Sequence, residues 1–359
     1  MVRTLGLAIA AAGLLAACAQ PVCGDCGPAI QSEIPAPLAL AKPVEPTLFV
    51  ANKRGNTLSK IDLATGEEVL RLASCTNPHE LATSPDGRHV ALACYSGTTV
   101  DVFRTVDLSK VGSIELGENA RPHGIVWHPS GDLFVTAEGR RSIFLIPDPV
   151  WNALRDVDEQ SKVEFATGQD GSHMIAVAPD ARAAWTTDLG SRTVTRIDLM
   201  QKGQTLSVAV GEEPEGIALS PDGKTLWVSA RGSNQAIALD PVTMEVRSTV
   251  DTGRFPLRLA IRPQGDVAVT SDLMDGSLSV IDLQTAKVVR TIAVSGSDEA
   301  QDRFQVTILW SPDGERIYVA ETGTDTIAEV DYASGRVLRR IAAGEGGDGL
   351  AIVQDDLAQ

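Results

Sequence analysis

An apolar strand that runs into a Pro-Asp-Gly-like turn recurs six times along the chain, and no other feature limits the fold as strongly. Its clearest copies are Glu215-Gly-Ile-Ala-Leu-Ser-Pro-Asp-Gly223 and Val306-Thr-Ile-Leu-Trp-Ser-Pro-Asp-Gly314. The other copies begin at His79, His123, His173 and Leu257, and a half-copy, Asp348 to Val353, sits near the C-terminus. The turn prolines Pro85, Pro129, Pro179, Pro221, Pro263 and Pro312 are spaced 42 to 50 residues apart. That period, with strand-type patterning, is the signature of propeller blades.

Each repeat reads as four short strands. After the turn comes a second strand such as Leu48-Phe-Val-Ala51, Leu226-Trp-Val-Ser229 or Ile317-Tyr-Val-Ala320, then a Gly-containing loop. A third strand ends near Asp, as in Ile61-Asp-Leu63 and Ile281-Asp-Leu283, and a fourth follows, as in Val288-Val-Arg-Thr-Ile292. Alternation over four to six residues between Gly/Asp turns is what blade strands require. The segment from 47 to 74 supplies a second, third and fourth strand but no first, and 348–353 supplies a first strand and stops. Joining them makes a seventh blade and covers two open strand edges. The expectation is one all-β, seven-bladed propeller over 47–353, with a tail at 354–359.

The repeated Ser-Pro-Asp-Gly and Leu-Trp-Val or Ile-Tyr-Val segments resemble those of YVTN-type propellers, including YncE-like and, more distantly, lactonase-like proteins. The resemblance covers about 47–353. It speaks to architecture and leaves activity open.

Residues 1–17 hold Arg3, an apolar run and small residues before Cys18, the pattern of a secretory signal. Leu15-Ala-Ala-Cys18 resembles the box of bacterial lipoproteins, which implies cleavage before Cys18 and its acylation. The other reading is an ordinary signal peptide with a stray cysteine. Ala19, by resemblance to lipoprotein sorting, points to the outer rather than the inner membrane. Residues 18–46, rich in Pro and Ala, read as a tether. The expected protein is thus an envelope lipoprotein facing the periplasm, with a membrane contact made by its acyl chains. A net charge of −16 argues against nucleic acid as a partner.

An exported chain favours disulfides. Cys23 and Cys26 read as a small oxidised loop, with metal pickup, thiol exchange and no pairing as alternatives. Cys75 precedes one inner strand and Cys94 ends the next, so both fall at one face. A disulfide closing about 20 residues there contributes roughly 3 kcal/mol in the entropic description.

Aligned on the turn prolines, the residues at the upper rim of the central channel are Asp348, His79, His123, His173, Glu215, Leu257 and Val306. Three of the five histidines therefore hold one position on consecutive blades, flanked by carboxylates. One reading is a metal site at His79, His123 and His173, since imidazole and carboxylate suit zinc, copper or iron. The other is a polar lining of a water-filled channel. A hydrolytic reading needs a base and a cation for a developing oxyanion, with Arg54, Arg121, Arg231 and Arg303 as candidates on the same face. The chain holds no nucleophile elbow, phosphate-cradling loop or dinucleotide fingerprint.

His89 and His128 sit at turns and carry no such pattern, and the tryptophans occupy blade-packing positions. Two insertions break the period. Residues 148–161 suggest a short helix opened by Pro149, whose Trp151 packs on a blade or meets a partner. Residues 295–305 enter the blade of Val306 from the channel mouth, as a lid or a surface loop. The expected function is a top face that binds a small ligand or an envelope protein. The rival is a metal-dependent, redox or lactonase-like enzyme working through the rim histidines.

Overall fold

The computed structural model describes residues 46–354 apart from 202. Expectations for the signal segment, Cys18, the tether, Cys23 with Cys26, and the end of the tail lie outside those residues. The described chain forms seven separate four-stranded antiparallel sheets. No helix among the described residues is long and apolar enough to cross a membrane.

Blade one consists of Gly347–Val353, Thr47–Asn52, Thr57–Asp62 and Glu67–Ala73, ordered from the channel outward. The C-terminal strand pairs antiparallel with the N-terminal one, Leu48 opposite Ile352 and Val50 opposite Leu350, so the two ends close the ring. Blade two runs from Pro78 to Glu115, blade three from Pro122 to Ala166 and blade four from Ser172 to Ala209. Blades five, six and seven occupy 214–251, 256–293 and 305–342.

The apolar core lies between blades. Val100, Val102 and Ile114 of blade two pack with Ile125, Val135 and Phe144 of blade three in one cluster. Val194 of blade four likewise packs with Val228 and Ile237 of blade five. Second strands are buried along both faces, as in Thr47–Asn52 and Ala183–Asp188. Outermost strands alternate half-buried and exposed, as in Glu67–Ala73. Burial on both faces accounts for the continuous apolar or hydroxyl character of the second strands. Trp185 and Trp310 each donate a ring N–H to a carbonyl, those of Pro241 and Ala260. Both therefore serve packing.

Two features of the innermost strands shape the channel. Each is preceded by a residue in the left-handed region: Gly346, Asn77, Arg121, Gly171, Glu213, Phe255 and Phe304. Each also carries an extra residue against its partner, as between Pro78 and Leu81 opposite Cys94 and Leu92. The same irregularity occurs in blades one and three to seven. Such a bulge interrupts the ladder and re-aims side chains. It frees two consecutive residues per blade at the channel rim.

Candidate functional site

The bulges are held by a relay of hydroxyls running from blade to blade. Thr136 Oγ1 accepts from the backbone N–H of Gly124 in its own blade (2.8 Å) and donates to the carbonyl of His173 in the next (2.7 Å). Thr187 repeats this between Met174 and Glu215, Ser229 between Gly216 and Leu257, and Ser271 between Arg258 and Val306. Rim residues 173, 215, 257 and 306 are thereby fixed through backbone groups, leaving their side chains free for the channel. Close approach of neighbouring strands does the rest. A Cβ at Gly124 would come within 2.7 Å of the His173 carbonyl, so a glycine after His123 lets the two histidines meet.

The three histidines converge. Ring centroids of His79 and His123 are 4.4 Å apart, and those of His123 and His173 are 3.8 Å apart. His123 lies in the middle, 1% exposed, and neither of its nitrogens has a hydrogen-bond partner among the described residues. His79 Nδ1 sits 3.1 Å from Asp348 Oδ2 but out of line, so it too is buried without a hydrogen bond. His173 contacts Glu138 through Nδ1 and lies 3.4 Å from Glu215 through Nε2. Tyr95 packs on His79 and His123, with centroids at 5.0 and 5.4 Å, and donates to Glu138 Oε2 at 2.8 Å.

Charged groups surround the rings. Arg258 bonds Glu215 and, at 2.8 Å, Glu80; Arg231 bonds Glu215; Lys53 bonds Asp348 at 3.1 Å; and Arg121 lies 3.5 Å from Glu138. Burial opposes charge on His79 and holds its pKa down at about 4, against the pull of Asp348. Burial, with the other cations, pushes His123 well below its ordinary value. Burial also opposes charge on His173, yet Glu138 and Glu215 outweigh it and raise its pKa. Glu215 would rise on burial, but Arg258 and His173 bring it down to about 2. Burial and the neighbouring Glu138 lift Tyr95 to about 12.

Rim residues Leu257 and Val306, with Phe255, Leu273, Met274 and Phe304, form the opposite, apolar wall of a pocket of about 310 Å³. A larger groove of about 590 Å³ opens between blades four and five at the far end of the strands, lined by Pro179, Arg182, Met200 and Val242 among others. It gathers no histidine or cysteine.

Of the candidate cations, Arg231 and Arg121 reach the site. Arg54 is engaged by Asp325 and the Thr322 carbonyl, and Arg303 by Glu299 and Glu321. Lys53, Glu80, Tyr95, Glu138 and Arg258 are additional members that the rim alignment does not include. Cys75 and Cys94 form a disulfide, with Cα atoms 5.7 Å apart, one residue before Tyr95. His128 is engaged by Ser130 and the Ala178 carbonyl. In the first insertion Pro149–Ala153 is helical, and Trp151 is 54% exposed with Arg155 over its ring. In the second, Ala300–Arg303 is helical and delivers Phe304 to the pocket.

Two overlapping sets have ligand atoms within 4.8 Å of one another: His79, Glu80 and His123, and His123, Glu138 and His173. His123 belongs to both. A ring of blades carrying imidazoles and carboxylates at its rim defines the class: a propeller with a polar channel-mouth site. The family model for YNCE-like beta-propellers matches residues 2–356, and the chain belongs to that family.

Solved structures with the same fold include the periplasmic gluconolactonase PpgL of Pseudomonas aeruginosa, with 18% identity, 86% of this chain and 99% of that chain covered, and a TM-score of 0.67. AztD from Citrobacter koseri, in its apo form, aligns with 15% identity over 86% of this chain and 98% of its own, at 0.61. Virginiamycin B lyase from Staphylococcus aureus aligns with 17% identity over 78% and 92%, at 0.60. At these identities the likeness concerns the fold alone. No curated protein matches the chain in sequence.

Proposed function

We propose that the channel-mouth pocket binds a divalent transition-metal ion, with zinc the best match to its donors. His123 carries this reading. A buried imidazole with neither nitrogen satisfied costs about 1–3 kcal/mol per unpaired polar group, and a metal ion uses such a lone pair directly.

The ion is assigned to His123, His173 and Glu138, whose ligand atoms lie within 4.8 Å of one another, with the fourth position left open. Nitrogen and carboxylate donors in this number suit a four-coordinate borderline ion; copper and iron are rivals for the same set. The surroundings fit as well. Glu215 lies against the other nitrogen of His173, and Tyr95 donates to the other oxygen of Glu138, the outer contacts that orient metal ligands. The lowered pKa values of His79 and His123 keep their lone pairs unprotonated at neutral pH.

Binding is favoured over catalysis. Every pocket cation already faces a carboxylate, so none is spare to stabilise an oxyanion. The broader expectation of a ligand- or partner-binding top face narrows here to an ion. The Cys18 box supports an acyl-anchored envelope protein, and loss of membrane association in Cys18→Ser checks that placement. Zinc titration of the full chain beside His123→Ala tests the ion itself: tight binding by the parent is expected, and equal binding by both chains contradicts the assignment.

A further inference from the structure

His79, His123 and His173 line one side of the pocket. Facing them is an apolar wall of Phe255, Leu257, Leu273, Met274, Phe304 and Val306. Two of these residues are held at a conformational cost. Phe255 and Phe304 stand at φ of +60° and +49°, immediately before the inner strands of blades six and seven. A bulky side chain in that region is uncommon and unfavourable. The same position holds glycine in blades one and four and Asn77 in blade two, residue types that tolerate it, and the charged Arg121 and Glu213 in blades three and five. Two adjacent phenylalanines there place rings at the pocket that a smaller residue would not. Phe304 is 43% and Met274 37% exposed, so part of this wall faces the opening.

Charge supplies the second observation. Around the rings, Lys53, Arg121, Arg231 and Arg258 face Glu80, Glu138, Glu213, Glu215 and Asp348, four cations against five carboxylates. With the imidazoles unprotonated as ligands, the formal sum is one negative charge. A divalent ion adds two positive charges to groups largely withdrawn from water, and uncompensated buried charge is costly. A monoanion entering with the ion brings the sum to zero. Arg231 marks the boundary between the two walls: it bonds Glu215 on one side and lies over the Phe255 ring at 5.0 Å on the other.

We infer that the pocket takes the ion together with a small amphipathic organic anion, whose carboxylate completes the coordination and whose apolar body lies against Phe255 and Phe304. This inference rests on the ion reading above. The cavity of about 310 Å³ suits a compact molecule, at the lower end of the usual range for small-ligand sites. Ion and anion then bind cooperatively, each raising the affinity of the other by the same factor.

The test measures zinc affinity of the full chain by chelator competition in chloride, in acetate and in benzoate, for the parent and for Phe255→Ala/Phe304→Ala. Benzoate is expected to raise the parent's zinc affinity about tenfold or more over chloride, with acetate giving much less. The double variant is expected to bind zinc as the parent does in chloride and to lose the benzoate increment. Phe304→Ala alone, a change at a half-exposed insertion residue, is expected to lose part of it while keeping the parent's thermal unfolding profile. Zinc binding that is equal in all three salts, or a benzoate increment unchanged in the variants, overturns the inference and leaves the ion site standing. Absence of zinc binding in every condition overturns both.

Discussion

Arg258 of blade six reaches across the channel to Glu80 of blade two, 2.8 Å from Nη2 to Oε1 between residues 178 positions apart. The same guanidinium bonds Glu215 of blade five. Both Arg258 and Glu80 are buried. One side chain therefore ties opposite sides of the ring together next to the histidines, and its charge is strongly held there by the two carboxylates despite burial.

Removing that tie has a large expected cost. Arg258→Met takes the donor from Glu80 and is expected to lower urea-denaturation stability by about 3–5 kcal/mol, the usual consequence of leaving a buried partner uncompensated. Adding Glu80→Gln to the same chain removes the stranded charge and recovers part of the loss. A single-variant cost below about 1 kcal/mol contradicts the cross-channel role.

The second strand of blade six ends in a carboxyl buried among hydroxyls. Burial lifts the pKa of Asp272 to about 6, and the hydrogen bonds from Ser279 and Thr270 offset this only in part. The folded chain thus holds a proton that the unfolded chain loses above its ordinary value of 3.8. Stability contributed by this group is full below that value and falls as pH rises through 6, by at most roughly 3 kcal/mol. Asp272→Asn is expected to gain on the parent in urea melts at pH 7 relative to pH 4. An equal difference at both pH values contradicts the shift.

The disulfide between Cys75 and Cys94 closes a loop of 19 residues and positions Tyr95 beside His79, His123 and Glu138. Cys75→Ser/Cys94→Ser is expected to lose roughly 3 kcal/mol of stability and to bind zinc more weakly, because Glu138 loses its orienting hydroxyl. Denaturation and zinc titration of this variant measure the two effects separately. Unchanged zinc affinity would detach the disulfide from the site.

The period of the turn prolines carries the number of blades, and the missing first strand of residues 47–74 carries the closure by Gly347–Val353, because strand count and edge pairing follow from local pattern alone. Alignment on the prolines also brings His79, His123 and His173 to one level. It does not reach Glu80 and Arg258. Simple alternation sends the residue after a rim position into the blade, whereas the bulge between Pro78 and Leu81, and its counterpart between Pro256 and Leu259, turns both residues of the pair free. Glu138 and Tyr95 come from loops after second strands, where no periodicity constrains a side chain. Phe255 and Phe304 lie just outside their strands, and a left-handed aromatic residue has no sequence signature. The part of the geometry that recurs from blade to blade is thus in the repeat, and the chemistry of the pocket is in its irregularities.

The most direct measurement is elemental analysis of the purified full chain, beside His79→Ala/His123→Ala/His173→Ala. Close to one transition-metal ion per chain is expected in the parent and none in the variant, with both giving the same far-ultraviolet circular dichroism. Metal-free parent protein that also fails to take up added zinc would contradict the metal assignment and leave the three histidines as channel lining.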